Sequence, residues 1–123
     1  MGYYTMYSLQ ARKVENKEQF ESIVQALKDM ELYGEGCYGV FMESTYFEDS
    51  NEATFSAYDE CRWYDHDYDM MKLCKMFPNV IFKLSGEGEE REDMWRKYFH
   101  NGEIEECRAQ VTFAKPVWIE WDE

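Results

Sequence analysis

The chain predicts an α+β fold, an antiparallel sheet with two helices on one face. Three observations point there. Apolar residues recur at helical spacing in two segments, 15–30 and 63–77. Six other segments alternate or are rich in β-branched and aromatic residues, as strands are. The dipeptide Asn101-Gly102 joins two of those six, and it is the strongest short hairpin signal.

Residues 3–12 alternate, with Tyr4, Met6 and Ser8 on one face and Thr5, Tyr7, Leu9 and Ala11 on the other. From Glu15 to Met30, Phe20, Ile23, Val24, Leu27 and Met30 form an apolar helical stripe. Asn16 is its predicted N-cap, with Gln19 as capping-box partner. Residues 37–47 and 53–62 are predicted strands, joined into a hairpin by the turn cluster 48–52. In the second helix Met70, Leu73, Cys74 and Phe77 share a face. Asp65 or Asp67 is its expected cap, and Pro78 stops it.

Residues 80–85 form a fourth strand and 94–99 a fifth. GEGEERED between them reads as a turn or bulged extension in which Gly86 and Gly88 take positive φ. Residues 104–113 form a sixth strand, with Cys107, Ala109, Val111 and Phe113 inward. Pro116 restricts 117–121 to an edge strand or tail. The order β-α-β-β-α-β-β-β matches a ferredoxin-like β-α-β-β-α-β sandwich with an extra C-terminal β-hairpin. A length of 123 residues and the absence of linkers predict one domain, 1–123.

Composition bounds the function. The apolar fraction is 45% and the aromatic fraction 18%, enough for a folded core. Net charge is −13, from 26 acidic and 13 basic residues. That sign argues against direct binding to nucleic acid or an anionic membrane surface, because both are polyanions. It favours a basic partner. Four scattered cysteines, no basic-then-apolar leader and no long apolar run lead us to expect a cytoplasmic protein with buried thiols.

The segment 63–106 carries the pattern Trp63, Phe77-Pro78, Phe82, Gly86, Gly88-Glu89-Glu90, Asp93, Trp95, Tyr98 and Gly102. In this C-terminal half the chain resembles a loose group of small, mostly uncharacterised proteins of bacteria, prophages and mobile elements. The resemblance carries no catalytic motif. It implies a mobile-element origin.

The motifs of chemistry are missing or incomplete. GEGEE lacks the GxGxxG spacing and has the wrong charge for a phosphate cradle. DHDYD, residues 65–69, lacks the glycine and spacing of a calcium loop. His66 and His100 stand apart from cysteines, so no zinc set forms. No nucleophile elbow is present. We therefore expect no catalytic residue, no metal, no cofactor and no enzyme activity.

Charge is the remaining signal. Between Glu43 and Asp69 stand nine acids and one base; between Glu87 and Glu106, eight acids and three bases. These two segments account for the whole net charge. DNA presents one charge per ~1.7 Å of axis, which carboxylates on a rigid scaffold can imitate. The expected function is that of a phage or mobile-element inhibitor that blocks the basic groove of a host defence nuclease, a CRISPR effector or restriction enzyme. The expected contacts are Glu43, Glu48, Asp49, Glu52, Asp65, Asp67, Asp69, Glu87, Glu89, Glu90, Glu92 and Asp93, with Trp63, Tyr64 and Tyr68 as anchors. The alternative is a protein-interaction or oligomerising module with an incidental charge, pairing sheet edges through 117–121. The sequence leaves the oligomeric state open.

Overall fold

A computed structural model describes residues 4–34, 40–58, 60–90, 93–110 and 117–118. Six strands and two helices follow in the order β1 (Thr5–Arg12), α1 (Lys17–Asp29), β2 (Glu43–Phe47), β3 (Glu52–Ser56), α2 (His66–Met76), β4 (Ile81–Gly88), β5 (Met94–His100) and β6 (Glu103–Arg108). All six strands form one antiparallel sheet in the order β2-β3-β1-β4-β5-β6.

Alternation in the strands decides which face is buried. Tyr7, Leu9 and Ala11 of β1 point to one side. Leu9 lies opposite Phe55 and Leu84, and Ala11 opposite Ala53 and Phe82. Ile23, Ala26 and Leu27 of α1 and Met70, Leu73 and Cys74 of α2 join those residues in a single buried cluster. Each fully buried Leu or Phe there contributes on the order of 1.5–3 kcal/mol by leaving water. The other face of the sheet carries Ser8, Gln10, Thr54, Ser56, Lys83, Ser85 and Arg96, and among the described residues no helix packs on it.

The local signals hold for the helices. Asn16 accepts from Gln19 N at 2.8 Å, and Gln19 Oε1 accepts from Glu15 N at 2.8 Å. Asp65 occupies the N-cap of α2 but makes no side-chain cap bond. Asn101 and Gly102 both have positive φ, 47° and 85°, so the β5–β6 turn suits the right-handed twist of its strands.

Several expectations need correction. β4 runs through the glycines to Gly88, and β5 begins at Met94. Neither Gly86 nor Gly88 has positive φ. Gly86 lies under Trp95, and a Cβ there would overlap the indole ring. Close packing, not turn geometry, therefore requires glycine at 86. β3 ends at Ser56 rather than running to 62, although Cys61 still bridges to Thr5. β6 ends at Arg108 and is exposed throughout, so Cys107 does not point inward. Strand β2 spans only the end of the predicted 37–47 segment, of which 37–39 lie outside the described residues. Val117 and Trp118 are exposed; the rest of the predicted edge strand 117–121 and the inward positions Val111 and Phe113 lie outside the described residues.

Candidate functional site: the acid-bearing end of the sheet

The site rests on an anchor between α2 and the sheet. In β5, Trp95, Lys97 and Phe99 share the core side, which buries a lysine. Lys97 Nζ donates to Asp67 Oδ1 at 2.9 Å and to His66 Nε2 at 2.9 Å, and lies 4.8 Å from the centroid of the Trp95 ring. His66 Nδ1 donates to the Trp63 carbonyl at 2.8 Å, so the ring carries its proton on Nδ1 and accepts at Nε2. The imidazole stacks on Trp95 with ring centroids 5.0 Å apart.

Trp63 and Tyr7 complete the anchor. The Trp63 indole donates to Asp69 Oδ2 at 2.7 Å. Tyr7 Oη donates to the Trp63 carbonyl at 3.2 Å, and its ring meets Trp63 and Trp95 edge to face. Burial pushes the Tyr7 hydroxyl up to about 12, because a phenolate among indoles loses its hydration. The set Lys97, His66 and Asp67 contains residue types of proton chemistry, but its polar atoms are satisfied by one another. Among the described residues no group of three or more His, Cys, Asp or Glu is arranged to share a metal ion.

Register brings the acidic segments together. β1 begins where β4 ends, since Thr5 lies opposite Gly88. The backbone of Thr5 also pairs with Cys61 at 2.9 and 3.0 Å, which brings the approach to α2 to the same end. Helix α2 then runs away from that end, because Cys74 Sγ accepts from Gly102 N in the β5–β6 turn at the other. Asp65, Asp67 and Asp69 therefore flank the same sheet end as Glu87, Glu89, Glu90 and Asp93. Glu43 joins them, lying opposite Ser56 at the end of β3.

Several of these carboxylates are held. Glu89 Oε2 accepts from Tyr4 N at 2.7 Å, and Gly88 N donates to the Asp93 carbonyl at 2.8 Å across the turn. Arg108 binds Asp93 Oδ1 at 3.0 Å. The Glu43 carboxylate accepts from the Tyr58 hydroxyl and so raises its pKa.

Other predicted contacts fall elsewhere. Glu48, Asp49 and Glu52 sit at the opposite end of the sheet, where Glu52 faces Arg12 in a loose pair at 3.9 Å. Trp63 is buried, so it supports the site from below and offers no anchor to a partner. Glu92 lies outside the described residues. Tyr64 and Tyr68 are exposed, at 67% and 70%. Tyr58 and Tyr4, absent from the predicted set, flank the same end and are also exposed. The loop position of Tyr58 was legible only once Cys61 was known to bridge to Thr5. Lys97 is also absent from the predicted set; the alternation of MWRKYF, which sets it beside Trp95 and Phe99, is the signal that finds it.

No helix among the described residues is long and apolar enough to cross a membrane. No family model, curated protein or solved structure shows a significant match to this chain.

Proposed function

We propose that the protein acts by binding, without catalysis, and that its acidic end occupies the basic nucleic-acid groove of a partner protein. The reading is that of a phage or mobile-element inhibitor of a host defence nuclease, a CRISPR effector or restriction enzyme, working in the host cytoplasm as a DNA mimic. One observation carries it: the acids of the α2 start and of the β4–β5 turn share one end of the sheet. Carboxylates held by hydrogen bonds, such as Asp67, Asp69 and Glu89, are preorganised for cationic side chains and lose little entropy on binding. Exposed Tyr58, Tyr64 and Tyr68 supply the aromatic contact area that protein interfaces favour. A mobile-element origin, expected from the pattern in the C-terminal half, belongs to the same proposal.

We also read the fold as ferredoxin-like. The order β2-β3-β1-β4, with helices after β1 and β3, supports that assignment, with β5 and β6 appended beside β4.

The test compares the two ends. A panel of CRISPR effectors and restriction enzymes is assayed for DNA cleavage with the wild-type protein, with Asp65→Asn/Glu89→Gln/Glu90→Gln, and with Glu48→Gln/Asp49→Asn. Inhibition by the wild type should weaken steeply with salt, be relieved by competing duplex DNA and be lost only in the first variant. Equal inhibition by all three proteins, or inhibition indifferent to salt, overturns the mimic.

A second reading has its own observation. β6 is exposed throughout and forms one edge of the sheet. An interaction or oligomerising module would pair there, and Glu106→Pro, at a position whose N–H points away from β5, would abolish association while the acid-end variant would not.

A further inference from the structure

The sheet face opposite the helices has a charge pattern opposite to that of the molecule. Lys83 lies opposite Gln10 and Tyr98, and Ser85 lies opposite Ser8 and Arg96. The two cations therefore sit diagonally across the β4–β5 pair, on the same face. Among the described residues neither makes an ion pair, although the chain has twice as many acids as bases. Holding like charges side by side without an anion is unfavourable. Burial, together with Arg96 and Arg12, lowers the Lys83 pKa, as expected of a crowded positive site.

The surroundings define what such a site would accept. Toward β3 the lining is hydroxyl-rich, with Ser8, Thr54, Ser56 and Ser85, and Gln10 Oε1 is buried there with no hydrogen-bond partner among the described residues. Toward β6 it opens into a trough of about 620 Å³ lined by Met6, Met94, Tyr98 and Cys107. Arg96 and Ser85 border both halves. Carboxylates ring the face: Glu43 and Glu52 on the β2–β3 side, Glu87 beside Met94 and Glu105 beside Tyr98. A long polyanion would meet that ring; a compact anion would not.

We propose that this face binds a compact organophosphate of nucleotide size. Its phosphate sits at Lys83 and Arg96, its donor groups meet Gln10 and the serines, and its planar apolar part lies over Met6, Met94 and Tyr98. Arginine and lysine with hydroxyl donors suit a phosphate, and methionine with tyrosine suits a planar body. Asp65, Glu89 and Glu90 of the acidic end do not line it.

Amide chemical shifts of the full chain test it, with AMP, adenosine, inorganic phosphate and a single-stranded DNA dodecamer as probes. AMP should give saturable shifts at Ser8, Gln10, Ser85 and Arg96. Adenosine and phosphate should each bind at least about tenfold more weakly. Lys83→Gln and Arg96→Gln should each weaken AMP about tenfold, because each removes one charge-assisted contact, with shift dispersion elsewhere unchanged. Asp65→Asn/Glu89→Gln/Glu90→Gln should leave AMP binding as it is. The proposal fails if AMP gives no saturable shift, if phosphate or adenosine alone binds as well, if both cation variants bind AMP normally, or if the dodecamer binds more tightly than AMP.

Discussion

The two ends of the sheet carry similar acids on different foundations. At the end where β1 begins, carboxylates sit above a packed set of Tyr7, Trp63, His66, Trp95 and Lys97. At the other end, Glu48 and Asp49 stand on the β2–β3 turn, and Glu52 meets Arg12 only loosely. The difference teaches that charge density along a sequence does not make a surface. At one end buried groups fix where the carboxylates point; at the other they do not.

That contrast can be broken by mutation. Lys97→Ala should cost about 3 kcal/mol in urea unfolding. It strips a buried stem and leaves the His66 Nε2 acceptor and the Trp95 face without their partner. Asp67, half-exposed, contributes little to that figure. If Lys97→Ala unfolds at the wild-type midpoint, the anchor is decorative. Gly86→Ala should cost about 2 kcal/mol, since the Trp95 ring must move aside. Its tryptophan fluorescence should shift as well.

Alkaline pH probes the same foundation through Tyr7. Its pKa in the folded chain is raised to about 12 from the ordinary 10.0. Below pH 10 the phenol is protonated in both states and stability is intact. Between pH 10 and about 12 only the unfolded chain releases that proton, so stability falls, by about 2 kcal/mol in total. Tyr7→Phe should flatten that part of the stability profile. At the opposite end, removing the exposed Arg12–Glu52 pair with Glu52→Gln should change stability by at most about 0.5 kcal/mol. A cost comparable to that of Lys97→Ala would erase the distinction between the ends.

Local features were legible in the sequence. The stripe of α1, its Asn16 cap, the stop at Pro78 and the Asn101-Gly102 turn are all signals read within a few residues. Features set by distant partners were not. Gly86 looks like a turn glycine until Trp95, nine positions on, is found lying across it. Trp63 looks like a surface anchor until Tyr7 and Asp69 close around it. The acids of 43–69 look like one group, but the β2–β3 hairpin carries Glu48, Asp49 and Glu52 to the far end of the sheet. No pattern along the chain encodes that separation; only the pairing of strands does.

The position of β1 between β3 and β4 also bears on how the chain folds. Its partners are remote in sequence, as the pairs Thr5–Gly88 and Ser8–Ser56 show. The run β4-β5-β6 is joined by short connections and should close at little entropic cost. We expect the first strand to pair later, because both of its partners are remote in sequence. Refolding should then be slow for a chain of this length. Substitutions in β5 should alter the folding rate, while those in β1 should act mainly on unfolding.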